Sequence, residues 1–363
     1  MWINKNQFQF DQSTYTNKTD ISSISYKDNL YVGTENGMVS CYKGSDKVYG
    51  SQYFTLKFDY LESCDVLEKI TAFDFMESGG ISKLSIVSNE RNIKIFEVRN
   101  NKSTQDNLLH PDISNLEFSH DEIKEFSNIH SYMCNSVSLN NDNQYFISSD
   151  YLVINLWRPD VLEGCYTLVD IKPPKHTDLV YVINTCKFSK YMNTVFGYST
   201  TNGEILFNDL RLSTKSENIL KIKSKDKDIK DGAFKSVSDF SFVNENSVIN
   251  RSLNNVSLSD LRNPDKEIFR VTISEDIVSN PSILDSDAVY EKFKISENGK
   301  FAFTGSFSNI IYAIDIQTGN KEEVVIDAGY ISSDLHKTRF VAAKENGFYA
   351  VYGNTIYEYD SDQ

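Results

Sequence analysis

The sequence predicts an all-β fold, a seven-bladed β-propeller, and three observations carry that prediction. A short strand of alternating apolar residues returns seven times along 363 residues. Each return follows a second short strand and a Gly, Asn or Ser turn, which is the pattern of a β-hairpin. Four of the returns run directly into an aspartate: Asp209, Asp260, Asp315 and Asp360. Length alone suggests two domains. Serial hairpins at blade-length spacing instead close into one ring, because no blade buries its faces without its neighbours. One domain over 1–363 is therefore expected, and the spacing of the copies argues against two packed sandwiches.

The returning strands are Val39–Tyr42, Ile93–Phe96, Ile154–Trp157, Ile205–Asn208, Val256–Ser259, Ile311–Ile314 and Ile356–Tyr359. The aspartates occupy the place of the acidic residue in a WD dipeptide, which makes the repeats WD-like. Upstream, Ile21–Tyr26, Asn135–Leu139 and Val237–Phe242 alternate as strands lining a propeller centre would. Closure requires one more strand beside Tyr357 and Tyr359. The segment 7–10, with Phe8 and Phe10 alternating with glutamines, is the candidate, and it would remove two exposed sheet edges. Two intervals are longer than the rest. One is Arg99–Tyr132, between the second and third returns, and a long connection of this kind in a compact fold is usually functional or disordered. Residues 213–235, with the run Lys221–Lys227, are expected as a mobile, solvated loop.

Charge narrows the partners. With 51 acidic against 37 basic residues the chain carries a formal charge of -14. Such a field repels phosphate backbones and anionic lipid, so nucleic acid and membranes are not expected partners, whereas basic protein segments are. The five cysteines lack the close paired spacing of a metal knuckle or a disulfide ladder, so free thiols are expected. No apolar run reaches signal-peptide or membrane-span length. A cytoplasmic location is expected, with the nucleus also compatible. The five histidines are dispersed, and no HExxH, GxSxG, GxGxxG or Walker-type loop occurs. No cofactor, metal site or catalytic residue is expected, and the chain is not expected to be an enzyme.

Four segments lie outside the generic repeat: Phe58–Ser63 with Glu68–Ile70, His130–Tyr132 with Asn135–Asn140, Tyr151–Arg158 through Pro173, and Tyr290–Phe293 with Thr304–Asn309. In these loops and in repeat order the chain resembles the B-type (55 kDa class) regulatory subunits of protein phosphatase 2A, a WD-repeat propeller family. The resemblance implies a non-catalytic phosphatase regulator that binds a helical-repeat scaffold subunit and a catalytic subunit in a heterotrimer. It implies that residues 100–128 are an insertion after the third strand of the second blade, a projecting β-hairpin contacting the scaffold, with Leu108, Leu109, Ile113, Leu116 and Phe118 as its apolar contacts. It implies substrate recognition on the top face, where phosphoprotein substrates with basic segments would dock. Carried over residue by residue, the substrate-binding positions are Asp150, Tyr151, Leu179, Val182, Phe307 and Glu35. Tyr151 stands where the family pattern has a second carboxylate, and Glu35 where it has a lysine. The alternative reading is a general WD-repeat scaffold or adaptor in another assembly.

Overall fold

A computed structural model of the chain describes residues 2–9, 20–55, 57–61, 64–66, 68–78, 82–100, 118–127, 130–161, 164–173, 175, 181–212, 220–223, 235–273, 292–327 and 337–361. Strand β1 (Trp2–Gln9) belongs to the last blade. Blade 1 is β2 (Ile21–Lys27), β3 (Asn29–Thr34), β4 (Met38–Lys43) and β5 (Asp46–Gln52). A two-stranded hairpin, β6 (Lys57–Asp59) and β7 (Cys64–Val66), precedes blade 2, which is β8 (Ala72–Ser78), β9 (Ser82–Ser88), β10 (Ile93–Asn100) and β11 (Phe118–Phe126). Blade 3 is β12 (Ser136–Leu139), β13 (Phe146–Ser149), β14 (Val153–Trp157) and β15 (Tyr166–Asp170). Blade 4 is β16 (Ile183–Phe188), β17 (Val195–Thr200), β18 (Glu204–Asp209) and β19 (Leu220–Lys223). Blade 5 is β20 (Val237–Asn244), β21 (Ser247–Ser252), β22 (Asn255–Asp260) and β23 (Glu267–Thr272). Blade 6 is β24 (Ile295–Glu297), β25 (Phe301–Thr304), β26 (Ile310–Asp315) and β27 (Lys321–Val325). Blade 7 is β28 (Val341–Lys344), β29 (Gly347–Tyr352) and β30 (Thr355–Ser361), completed by β1.

All seven returning segments of the sequence are third strands, and the three alternating upstream segments are innermost strands. The apolar core is correspondingly divided into seven clusters, one at each interface between neighbouring blades. Each sheet buries one face against the blade before it and the other against the blade after it, so third strands such as Val39–Tyr42 are apolar on both faces.

Closure is made by β1, antiparallel to β30 with Phe8 opposite Ile356 and Trp2 opposite Ser361. Trp2 and Phe8 have the same parity and would share a face of a regular strand. A register shift between Asn4 and Asn6 places Lys5 as an extra residue and switches the faces. Trp2 therefore packs edge-on against Phe301, Phe303 and Phe348 at 5.2, 5.2 and 5.5 Å, toward blade 6. Phe8 meets Tyr42 at 5.0 Å, toward blade 1.

The two long intervals need correction. Phe118–Phe126 pairs with β10 from Ile93↔Phe126 to Asn100↔Phe118, so that part of 100–128 is the outer strand of blade 2 and not a projection. The connection 101–117 lies outside the described residues, and with it Leu108, Leu109, Ile113 and Leu116. Likewise Leu220–Lys223, inside the expected 213–235 loop, is the outer strand of blade 4. Leu-Lys-Ile-Lys alternates, putting Ile222 in the core at 2% exposure while Lys221 holds Glu204 at 2.6 Å.

The inner edges of the blades meet around the central channel, where backbone groups of the innermost strands lack a further strand. Side chains of the preceding blade satisfy many of them. Asp74 accepts from Leu139 N at 2.8 Å, and Ser136 and Ser138 accept from Cys186 N and Phe188 N at 2.9 and 3.0 Å. Asp239 accepts from Ile295 N at 3.0 Å and Ser296 from Ala343 N at 2.9 Å. Lys27 and Lys187 donate to the carbonyls of Phe75 and Phe240 at 2.9 and 2.7 Å. Serine, aspartate and lysine on these strands thus stitch blades 1 to 7 in succession, which explains why the inner strands are polar on the channel face.

Candidate functional site: the upper face of the propeller

In a four-stranded antiparallel blade, the turn between second and third strands and the connection to the next blade lie at one end. That end, here the upper face, carries Glu35, Tyr151 and Phe307 on second-to-third turns, and Val182 and Lys292 on segments entering β16 and β24. The connection 101–117 joins third and fourth strands and leaves from the lower end.

Tyr151 and Val182 are brought together at the junction of blades 3 and 4. Ile183 N donates to the Tyr151 carbonyl at 2.8 Å, and the Val182 N–H and carbonyl bond Thr201 Oγ1 and N at 3.0 Å each. Both side chains stay half-buried at the rim. Tyr132, 41% exposed, meets the Tyr151 ring edge-on at 6.3 Å. From the other side Lys292 Nζ lies 5.1 Å from the centre of the same ring and 3.4 Å from the Asn184 carbonyl. Lys292 enters from blade 6, so it crosses the channel mouth to blades 3 and 4. Burial, reinforced by the nearby charge of Lys294, pushes its pKa down to about 8.

Phe307 sits in a second aromatic group. Its ring meets Phe293 edge-on at 4.8 Å; Lys337 Nζ lies 5.4 Å from its centre, and the Arg251 guanidinium lies 5.2 Å from the centre of Phe293. Arg251 is fully buried at 0% exposure, and burial lowers its pKa to about 9. The turn is held by Thr338: Ser306 N donates to its Oγ1 at 3.0 Å, and Thr338 N donates to Ser306 O at 3.1 Å. A Cβ on Gly305 would lie 1.6 Å from the Thr338 carbonyl oxygen, so this approach requires glycine.

Asp150 is not presented to a ligand. It is 1% exposed, and its carboxylate accepts from Leu152 N and Val153 N at 2.7 Å each and faces His130 Nδ1 at 3.2 Å. His130 Nε2 lies 2.7 Å from Ser148 Oγ, which accepts from Trp157 Nε1 at 2.9 Å. An ionised carboxylate can only accept, so His130 donates its Nδ1–H to Asp150, while the Ser148 hydroxyl bridges His130 Nε2 and the Trp157 indole. Burial works against the Asp150 charge, but the hydrogen bonds from His130, Leu152 and Val153 prevail and hold its pKa below the ordinary carboxylate value. This buried chain ties the lead-in of blade 3 to its second and third strands. The substrate-binding expectation for Asp150 is therefore replaced by a structural role.

Glu35 lies on the upper face of blade 1, half-buried, with Lys69 Nζ 3.4 Å from its carboxylate. It is not adjacent to the Tyr151–Val182 rim. Leu179 lies outside the described residues; of Phe118 the backbone is described, in β11.

Two upper-face features lie in segments that the sequence singles out, Tyr290–Phe293 and Phe58–Ser63, without assigning their residues a role. Lys292 belongs to the Tyr290–Phe293 segment, but its reach across the channel depends on blades distant in sequence. The β6–β7 hairpin, in the connection from blade 1 to blade 2, shows Phe58, Tyr60 and Leu61 at 49, 86 and 97% exposure. Its sequence lies outside every repeat, but nothing local says that Phe58, Tyr60 and Leu61 stay exposed. Among the described residues no three His, Cys, Asp or Glu side chains group as a metal site.

No family model matches the chain. Among curated proteins it is similar to the B regulatory subunit of protein phosphatase PP2A from Candida tropicalis, 27% identical over 324 residues, covering 80% of this chain and 63% of that one. The serine/threonine-protein phosphatase 2A regulatory subunit phr2AB of Dictyostelium discoideum is 31% identical over 216 residues, 56% of this chain and 44% of its own. The protein phosphatase PP2A 55 kDa regulatory subunit of Drosophila melanogaster is 26% identical over 329 residues, 82% and 65%. The chain thus spans less than two thirds of the length of each of these relatives. Among solved structures, Raptor of Chaetomium thermophilum superposes with a TM-score of 0.68 over 100% of this chain and 29% of its own, at 12% identity, a likeness of fold. Over most of its length the chain is thus similar to curated B and 55 kDa regulatory subunits of protein phosphatase 2A, and its fold is a seven-bladed WD-type propeller.

Proposed function

We propose that the protein is a regulatory component of a protein phosphatase 2A holoenzyme, binding scaffold and catalytic subunits and recruiting phosphoprotein substrates through its upper face, without chemistry of its own. The similarity to proteins named as PP2A regulatory subunits over 80 and 82% of the chain carries this reading. The upper face supports it, with half-buried Tyr151, Val182 and Phe307 and exposed Phe58 and Tyr60 as apolar anchors. The charge of -14 steers basic segments toward it, although a surface ion pair contributes only about 0–1 kcal/mol, so residence rests on the apolar contacts. Cys41, Cys134, Cys165 and Cys186 are free thiols, in keeping with a reducing cytoplasm or nucleus.

Affinity purification tests the reading. Stoichiometric recovery of scaffold and catalytic phosphatase subunits is expected, and their absence from an intact, folded bait refutes it in favour of an adaptor in another assembly. A second variant addresses the lower end. Asn100 and Phe118 are paired, so a short turn can replace 101–117 without disturbing β10 or β11. Scaffold recovery should fall while thermal unfolding stays unchanged.

A further inference from the structure

The seven inner strands enclose a central cavity of about 310 Å³, within the range of a small-ligand site. Its walls are not uniform. On the side of blades 4 to 6, Lys187 and Lys294 line it, and Lys292, two residues before Lys294, lies close enough to feel the charges of Lys294 and Asp239. We propose that this side of the channel is a binding site for a tetrahedral dianion of the phosphate class.

Positive charge outweighs negative on this wall, and several donors there are unused. Three ammonium groups face one nearby carboxylate, Asp239, which is bonded to Lys187 at 2.6 Å and accepts Ile295 N at 3.0 Å. The next lysine along the wall, Lys190, is paired with Glu297 at 2.6 Å, and Asp74 is engaged by Leu139 N. The Lys294 ammonium makes no hydrogen bond or ion pair among the described residues, and that of Lys292 reaches only a carbonyl at 3.4 Å and the Tyr151 ring. Burial lowers the pKa of both Lys187 and Lys292, and the charge of Lys294 lowers it further in each, so the three groups repel one another. Thr185, 1% exposed and lining the same cavity, holds its Oγ1 without a partner. A small multivalent acceptor relieves the repulsion and takes the free N–H and O–H donors together. Such a concentration of positive charge inside a chain of net charge -14 has no evident use in the stitching of the blades, which Lys187 and Asp239 already perform.

The anion has two sources, a free phosphate or the phosphoryl group of a modified side chain. The test uses the full-length chain and two probes, inorganic phosphate and a short phosphoserine peptide, titrated calorimetrically and by phosphorus NMR at fixed low chloride. Saturable binding of at least the inorganic ion is expected, weakened tenfold or more by Lys294→Gln and by Lys292→Gln. Thr185→Val, which keeps side-chain shape, should weaken it by a smaller factor, and Lys266→Gln on the outer surface should leave it unchanged. Uptake of inorganic phosphate alone assigns the site to free anions; uptake of the peptide as well assigns it to phosphoryl side chains. No saturable uptake of either probe, or equal uptake by wild type and a folded Lys294→Gln variant, overturns the proposal. The readout involves no phosphatase subunit, so its failure leaves the holoenzyme reading untouched.

Discussion

Replacing Asp150 by alanine should destabilise the propeller by about 3–5 kcal/mol, far more than loss of a surface contact would. The figure follows from the groups left behind. Leu152 N and Val153 N, each 2.7 Å from Oδ1, lose their acceptor, as does His130 Nδ1–H at 3.2 Å from Oδ2. Each buried unsatisfied donor costs about 1–3 kcal/mol, and water entering the vacated space recovers part of it. Asp150→Asn keeps an acceptor for the two backbone donors and should cost less, about 1–2 kcal/mol. Urea unfolding followed by Trp fluorescence reads the change, since Trp157 ends the same hydrogen-bonded chain. The pH dependence has a definite sign. Because the folded pKa is depressed, the contribution is complete above the unfolded value of about 3.9 and is lost as pH falls through the folded value. The gap between wild type and Asp150→Ala should therefore close below about pH 4. An Asp150→Ala protein within about 1 kcal/mol of wild type that fails to capture substrate would refute the structural assignment and restore a direct binding role.

Other substitutions separate scaffold from surface. Trp2→Ala removes three edge-on aromatic contacts from the closing strand and should lower stability by about 3 kcal/mol, read as a lower urea midpoint and faster proteolysis at the N-terminal end. Gly305→Ala drives a Cβ into the Thr338 carbonyl and should cost about 1–3 kcal/mol, with Ser306→Ala milder, both measured by thermal unfolding. Val182→Ala combined with Leu179→Ala should slow dephosphorylation of a dependent substrate while the heterotrimer still assembles and urea stability changes by less than about 1 kcal/mol. Equal rates for both complexes would remove the rim from the recognition site.

How far the site could be read depended on what each residue's role rests on. Tyr151, Val182 and Phe307 reach the upper face because each sits at a turn or at a strand entrance, and turns are marked locally by Gly305, Asn309 and their neighbours. Asp150 has the same local signature as an exposed turn carboxylate. Its burial follows from His130, twenty residues away, and Ser148. The outer strands β11 and β19 were hidden for a related reason: charged residues alternate with apolar ones, and only pairing with β10 and β18 tells a blade edge from a solvated loop.

By itself the sequence determined the number of blades, the third strand of each, the polar character of the channel wall and the resemblance to phosphatase regulatory subunits. These rest on period-two alternation, turn residues and loop motifs, all contained within a few dozen residues of chain. The tertiary structure alone decided that Lys292 spans the channel mouth from blade 6 to Tyr151 and Asn184, and that Lys190 ties blade 4 to Glu297 across 107 positions of sequence. It also decided the face switch at Lys5, which lets one strand seal the ring with Trp2 on one side and Phe8 on the other. Such contacts join groups that share no local pattern, and ring closure is what brings them within bonding distance.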